Sequence, residues 1–367
     1  MRIAFDQQIF LLQEFGGISR YICSLSEALS RIPDVEARIF APLHFNGHLQ
    51  QMSRPLVFGR RVPRVPKTFR PVRALSERIA HRAMGRFQPD IVHETYFSKG
   101  SAGPRRRRVI TVYDMIAERY PSMFPGTDFT EAKRESVFRA DRVLCISEST
   151  RRDLIDLFGV PEARTSVVYL GYDRLDTGGE SSVCPGTLAG IPPFLLYVGS
   201  RGGYKNFESL LRAYAASGWL RDGFAIVCFG GGALAREERE LIDALRIRQD
   251  RVVQLGGGDD VLADLYRRAV AFVYPSLYEG FGIPPLEAMS LDCPVLCSDT
   301  SSIPEVVGDA GEYFAPEDVD SMRFAIESVL QSRSRQNELI AKGRARCAAF
   351  NWERCARETH DIYRSLL

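Results

Sequence analysis

The stretch Tyr274-Pro275-Ser276-Leu277-Tyr278-Glu279-Gly280-Phe281-Gly282-Ile283-Pro284-Pro285-Leu286-Glu287-Ala288-Met289 sets two carboxylates eight positions apart in a frame of glycine and proline. A strand pattern ends at Ser276, and Pro284-Pro285 open a helix. Glu279 therefore stands on the loop and Glu287 in the first turns of the helix, both directed at one strand-end crevice. Carboxylates accept paired hydrogen bonds from vicinal hydroxyls, which is chemistry for a sugar. Gly280 and Gly282 let the backbone N–H groups around Phe281 come close to a ligand. Acids at a helix start also complement its dipole. Two glutamates alone do not separate these accounts; the whole segment favours a ligand.

A second set, Gly199-Ser200-Arg201-Gly202-Gly203-Tyr204-Lys205-Asn206, again lies between a strand pattern and a helix pattern. Two cations, the free amides of a Gly-Gly turn and the dipole of the following helix make a site for a diphosphate. A solvated loop is the competing account. Gly230-Gly231-Gly232 and Gly256-Gly257-Gly258 follow the next two strand patterns. Each alone is a weak turn signal, but both fall on the rim where a nucleotide would lie. Gly16-Gly17, between the first strand and a helix, repeats the arrangement in the first half and would close over phosphates from across a cleft.

Such loops need strands to carry them. Short apolar, β-branched runs alternate with helical stretches from end to end, the pattern of parallel sheets with crossover helices. In the first half the runs are Ile3–Asp6, Ala37–Ala41, Ile91–Glu94, Val109–Asp114, Val143–Ser147 and Val167–Gly171. Ile18, Tyr21, Ile22, Leu25, Leu29 and Ile32 share one helix face between them. The second half restarts with Phe194–Gly199, Ala225–Gly230, Val252–Gly256, Ala271–Pro275, Val295–Ser298 and Glu312–Phe314. A segment rich in Gly, Ser, Thr and Pro separates the halves. The division expected is a first domain over 1–173, a linker over 174–193, and a second domain over 194–351. The closing helix 352–367 packs back on the first domain. Two doubly wound α/β sheets joined this way bind ligands where their strand C-termini face each other.

The Glu279-to-Glu287 segment resembles the signature of retaining glycosyltransferases of family 4, which share the GT-B fold. The resemblance extends to Gly16-Gly17, to Val198-Gly199-Ser200-Arg201 with Lys205-Asn206, to Pro294-Val295 and to Ser302-Ile303-Pro304-Glu305. It implies two facing Rossmann-like domains with an interdomain cleft and a nucleotide-sugar donor. By the same resemblance, Arg201 and Lys205 hold the donor diphosphate and Glu287 accepts the ribose hydroxyls. Glu279, with the amides around Phe281 and Gly282, holds the transferred sugar. The opening Phe5-Asp6-Gln7-Gln8-Ile9-Phe10 and Gly16-Gly17-Ile18-Ser19-Arg20-Tyr21 is similar to bacterial mannosyltransferases of surface-polysaccharide pathways. That similarity implies GDP-mannose as donor and a glycan or lipid-linked acceptor of polysaccharide or lipopolysaccharide type.

One position departs from the family pattern. Many members end the fourth strand with His-Asp; this chain has Tyr113-Asp114. A phenol donates to a hydroxyl or phosphate oxygen but is no imidazole, so either Tyr113 takes over the positioning or the pocket differs. His93, ending the preceding strand, is a further candidate, though a lone strand-end histidine is more often structural. A Mg²⁺ or Mn²⁺ transferase usually holds the ion against the diphosphate with an Asp-x-Asp at a strand end. The single such triplet, Asp318-Val319-Asp320, reads better as a helix cap. With Arg201 and Lys205 to neutralise a diphosphate, no metal and no cofactor are expected. No Gly-x-Gly-x-x-Gly opens either sheet, against a dinucleotide.

Composition sets the outer limits. The 367 residues are 45% hydrophobic and 26% charged with a formal net charge of +2, which is globular and names no partner. One stretch is one-signed: Arg54 to Arg86 holds ten Arg or Lys against one acid, Glu77. Pro55, Pro63, Pro66 and Pro71 break its first part and Val72 to Phe87 reads as helix; Arg105 to Arg108 adds a run of four. Without RNA-binding aromatic motifs, an anionic membrane surface is the expected partner, ahead of a solvated loop, with nucleic acid set aside. The 8 cysteines are scattered without zinc or redox spacing, which fits reduced thiols. The expected place is cytoplasmic, peripheral on the inner membrane face. Two rival functions stand: a glycoside hydrolase using Glu279 and Glu287, which leaves the Arg201–Lys205 loop unexplained, and a non-catalytic nucleotide-sugar-binding partner.

Overall fold

The structure is a computed structural model that describes residues 1–100, 104, 106–124, 129–175 and 190–367. Arg105, Cys184 and much of the expected linker 174–193 lie outside the described residues. The chain divides into two compact units, Met1–Gly171 with Phe350–Leu367, and Tyr172–Ala349. Each is built on one parallel sheet.

In the first unit the strands are β1 (Arg2–Phe5), β2 (Glu36–His44), β3 (Val57–Arg61), β4 (Ile91–Glu94), β5 (Arg107–Val112), β6 (Arg142–Cys145) and β7 (Thr165–Val167). They lie in the order β3-β2-β1-β4-β5-β6-β7, all parallel. Ile3, Ala4 and Phe5 of β1 are wholly buried, as a central strand covered on both faces requires. Helix Gly17–Ser30 buries Tyr21, Ile22, Leu25 and Leu29. The C-terminal helix Trp352–Arg364 packs on it, with Trp352 against Tyr21 at 6.1 Å between ring centroids.

The second unit has β8 (Phe194–Val198), β9 (Ala225–Phe229), β10 (Val252–Leu255), β11 (Ala271–Tyr274), β12 (Val295–Ser298) and β13 (Gly311–Phe314). Their order is β10-β9-β8-β11-β12-β13, again all parallel. Each sheet reverses its order once, between β1 and β4 and between β8 and β11. At such a switch the loops after the two strands part, and the gap they leave is where open α/β sheets take ligands. The loops after β8 and β11 are the two segments with the chemistry.

The basic segment differs from its reading as a broken loop. Val57–Arg61 is an edge strand parallel to β2, and the helix begins at Phe69, with Pro71 in its first turn. Proline fits there because the N–H it lacks has no intrahelical partner. The second basic run is not a uniform surface patch: Arg108 turns inward onto Glu94 at 2.9 Å, and Arg139 meets the same carboxylate at 2.7 Å. Among the described residues the cysteines are buried thiols outside any disulfide. No helix of the described residues is long and apolar enough to cross a membrane.

Candidate active site

The loop after β8 turns at residues with positive φ, a conformation that favours glycine. Gly199 has φ +120° and Gly203 φ +58°, and Asn206, in the left-handed region at φ +57°, hands the chain to helix Phe207–Ala215. The turn is held from inside: the Tyr197 hydroxyl donates to Ser200 O at 2.6 Å. It is also fastened to the loop after β11. Leu277 N–H donates to Tyr204 O at 2.7 Å, and the Asn206 amide donates to Pro275 O at 3.0 Å and Pro316 O at 2.8 Å.

These fastenings bring Lys205 and Glu279, 74 residues apart in sequence, to 2.7 Å between Nζ and Oε1. Both side chains are largely buried, at 18% and 10% exposure. Lys205 also lies over the rings of Tyr204 and Tyr274, at 5.3 and 5.8 Å. Burial, and then the Glu279 charge, push the Tyr274 phenol well above its ordinary range, so it stays a neutral donor to that carboxylate. The result is a carboxylate and an ammonium at one point of the switch crevice, one suited to hydroxyls and the other to phosphate oxygens.

Gly282, at φ +131°, ends the loop and starts helix Ile283–Ser290, with proline in its first positions. Glu287 lies on this helix at 8% exposure, with the Tyr266 hydroxyl 3.4 Å from Oε2. Burial, then the Glu287 charge, push that phenol well up. Gly280 and Phe281 complete the loop, Phe281 being 4% exposed.

Arg201 is placed differently from the expectation of a direct diphosphate ligand. Its side chain is 3% exposed. Nε donates to Glu238 at 2.8 Å, Nη1 to Gly230 O at 2.9 Å, and Nη2 to Gly232 O and Ala233 O at 2.9 Å each. The guanidinium thus gathers the carbonyls of a turn whose glycines, Gly230, Gly231 and Gly232, have φ of +83°, +68° and +72°. Three left-handed residues in a row aim successive carbonyls at one point, and the planar fork of donors answers them. A cavity of about 800 Å³ borders this clamp, lined by Arg201, Gly202, Glu208, Arg212, Gly231 and Glu238 among others. Gly256 follows β10 and leads into Gly257, at φ +157°.

In the first unit, Gly16 and Gly17 open helix Gly17–Ser30, where the Gln13 side chain accepts from Ser19 N–H at 3.3 Å. Tyr113 is not a free donor. It is 6% exposed, and its hydroxyl donates to Thr95 O at 3.1 Å. His93 stays in the core, with Nδ1 2.5 Å from the Tyr363 hydroxyl and Nε2 2.9 Å from Thr111 Oγ1. Burial lowers its pKa to about 3, so it is neutral. Asp318 caps helix Val319–Leu330, accepting from Asp320 N–H at 2.9 Å and Ser321 N–H at 3.0 Å. Among the described residues no three His, Cys, Asp or Glu gather as metal ligands do. Sequence reasoning gave no role to Tyr266, Tyr274, Glu238 or the hydroxyl run Thr300-Ser301-Ser302; Tyr274 meets Glu279 in the loop that follows it, while the others meet Glu287, Arg201 and the Glu279 loop from 21 to 37 residues away.

Comparison with known proteins identifies the family and the fold. Residues 187–346 match the family described as Glycosyl transferases group 1, and residues 15–174 match Glycosyltransferase Family 4. The O-antigen chain mannosyltransferase B of Escherichia coli is 30% identical over 376 aligned positions, covering 100% of this chain and 93% of that one. Among solved structures, the sucrose-phosphate synthase of Thermosynechococcus elongatus superposes with a TM-score of 0.74 at 21% identity, covering 100% of this chain and 98% of the other. HepE of Anabaena, in complex with UDP and glucose, gives 0.74 at 18% identity with both chains covered fully (100%). At these identities the two structures speak for the GT-B fold alone.

Proposed function

The chain belongs to glycosyltransferase family 4, the group 1 glycosyl transferases, and is a glycosyltransferase; on that premise we propose that it transfers mannose from GDP-mannose to a growing, lipid-linked surface polysaccharide. The observation that carries the reading is the Lys205–Glu279 pair, 2.7 Å apart at the β8/β11 switch. It offers a cation for the donor diphosphate beside a carboxylate for the hexose hydroxyls. Glu287, on the following helix, accepts from the ribose. The choice of mannose and of the acceptor class rests on the likeness to the O-antigen chain mannosyltransferase.

The transfer retains anomeric configuration. The bond from C1 to the diphosphate oxygen breaks, and the acceptor hydroxyl oxygen bonds to C1 on the same face. The acceptor proton passes to the departing phosphate oxygen, so no carboxylate of the protein is needed as nucleophile. Charge growing on the diphosphate meets Lys205 and the amides of the Gly202-Gly203 turn. Lys205 and those amides carry the charge that a metal ion would otherwise neutralise, so turnover needs no metal.

The basic segment supports docking on anionic membrane. Arg60, Arg64, Lys67, Arg70, Arg78 and Arg82 are exposed, and Phe58, Val65 and Leu75 stand exposed among them at 39%, 50% and 51%. Cations with interspersed apolar side chains suit a headgroup layer, each cation contributing about 1 kcal/mol.

Titration with GDP-mannose, GDP, UDP-glucose and UDP, read by calorimetry and thermal shift, tests the donor. A donor at 100 times its Kd stabilises by about 2.7 kcal/mol. GDP-mannose and GDP should bind; tight UDP with no GDP binding overturns the donor. An inverted linkage in the product overturns retention, and loss of turnover in EDTA overturns metal independence.

A further inference from the structure

Three consecutive hydroxyls, Thr300-Ser301-Ser302, lie between β12 and the short helix Ile303–Val307, and all three face the loop after β11. Thr300 Oγ1 donates to Leu277 O at 3.0 Å. Glu279 N–H donates to Ser301 Oγ at 2.9 Å. The Ser302 hydroxyl lies 2.8 Å from Glu279 O and 2.7 Å from Phe281 O, which share it as acceptors.

Two features mark this as more than ordinary loop packing. Ser302 sits at the N-cap of Ile303–Val307, where a serine normally accepts a backbone N–H of its own helix. Here it makes no such bond and turns a wholly buried hydroxyl to the Glu279 loop instead. Ser301 holds φ +53°, a left-handed conformation that favours glycine, and keeps its side chain on Glu279 N–H. Backbone strain at a non-glycine residue persists where the surroundings over-determine it, and such residues gather at functional sites.

We propose that Ser301 and Ser302 are positioning residues that aim the Glu279 carboxylate at the transferred sugar, so that they govern discrimination for the sugar rather than affinity for the nucleotide. The inference rests on the reading of Glu279 as the sugar-holding group. Both backbone groups of Glu279 are held by this clamp, Oε1 by Lys205, and the peptide two residues on by Ser302. The carboxylate is thereby aimed from its own main chain as well as from its tip.

Glycine at 301 separates positioning from folding, because it relieves the left-handed strain while deleting the hydroxyl. Ser301→Gly should melt no lower than wild type and bind GDP unchanged, while kcat/KM for GDP-mannose falls on the order of tenfold or more, the scale of a small misplacement of a catalytic group. Ser302→Ala should do the same with a lower melting temperature, and Ser302→Thr, which restores the hydroxyl, should recover the sugar-dependent part. Glu279→Gln is the control. If it loses sugar discrimination while Ser301→Gly keeps it, the clamp is refuted and the donor reading stands. If Ser301→Gly weakens GDP and GDP-mannose equally, the clamp is merely structural and the proposal fails. If Glu279→Gln itself leaves the preference of GDP-mannose over GDP intact, the reading of Glu279 falls and this inference with it.

Discussion

Replacing Arg201 by alanine separates two accounts of the most basic group in the site. The sequence reading makes Arg201 and Lys205 equivalent diphosphate ligands. In the structure they differ. Arg201 donates to Glu238 and to the carbonyls of Gly230, Gly232 and Ala233, at 2.8–2.9 Å and 3% exposure. Its removal strands those carbonyls, and it strands a carboxylate that retains only partial access to water at 19% exposure. Breaking a buried pair from one side costs about 3–5 kcal/mol; the water that reaches Glu238, and its remaining bond to Ala235 N–H at 2.6 Å, bring this to roughly 2–4 kcal/mol. For a unit of this size that is a fall of roughly 4–16 °C in melting temperature. Lysine should not rescue it, being one point charge against a fan of four partners. Lys205→Ala, by contrast, removes one contact from a carboxylate that keeps Tyr274. With Glu279 only 10% exposed and left with the Tyr274 donor, it should cost roughly 1–3 kcal/mol in stability and on the order of 10²–10³ in turnover. Calorimetric melts of the free proteins, beside initial rates of donor turnover, read both quantities. Should Arg201→Ala melt with wild type yet lose turnover as Lys205→Ala does, the clamp assignment is wrong and the arginine leaves its carbonyls to hold phosphate.

Asp6 gives a pH signature. Burial, then the Glu94 charge, raise its carboxyl from 3.8 to about 7, so the folded chain holds a proton that the unfolded chain has lost. The associated stability is complete below about pH 4 and is lost as pH rises through about 7. Asp6→Asn keeps the Oδ1 that receives Thr95 and Gln8, so its stability relative to wild type should rise by roughly 2–3 kcal/mol between pH 5 and 8; parallel melting curves across that range would refute the assignment. Tyr113→Phe should cost about 1 kcal/mol through the orphaned Thr95 carbonyl and change donor KM less than threefold; a collapse of turnover at unchanged stability would restore the phenol to the chemistry. In co-sedimentation, wild type should bind anionic vesicles more weakly as salt rises, and the combined change of Arg60, Arg64, Lys67 and Arg70 to Gln should abolish the preference. Arg61 is left in place because it is tied to Glu14. A variant that pellets like wild type would leave the segment a solvated surface.

What could be read from the residues, and what could not, follows from how far each signal travels along the chain. Central parallel strands announce themselves because both their faces are buried, and Phe194–Val198 or Val295–Ser298 is apolar almost throughout. β3 is an edge: its four residues from Phe58 to Arg61 are exposed, it carries two arginines, and prolines flank it. Charge on an edge strand guards against stray pairing, and that guard makes it read as loop. The strand-end positions of Glu279, Arg201, Lys205, Tyr113 and His93 were legible for the same reason as the strands. Their directions were not. A side chain's type says what it can bond, while the partner is chosen by elements that meet only in the fold. Glu238 claims Arg201 from 37 residues away, and Thr95 O claims Tyr113 from 18. Ser302 shows the limit most sharply: a serine before Ile303-Pro304-Glu305 is by local rules a helix cap, and local rules alone would have left it there. Its hydroxyl turns away because two carbonyls of the Glu279 loop, 21 and 23 residues earlier, lie within reach. In this enzyme the charged groups that would touch substrate lie where periodicity foretells them, and the neutral groups that aim them lie where only tertiary packing can put them.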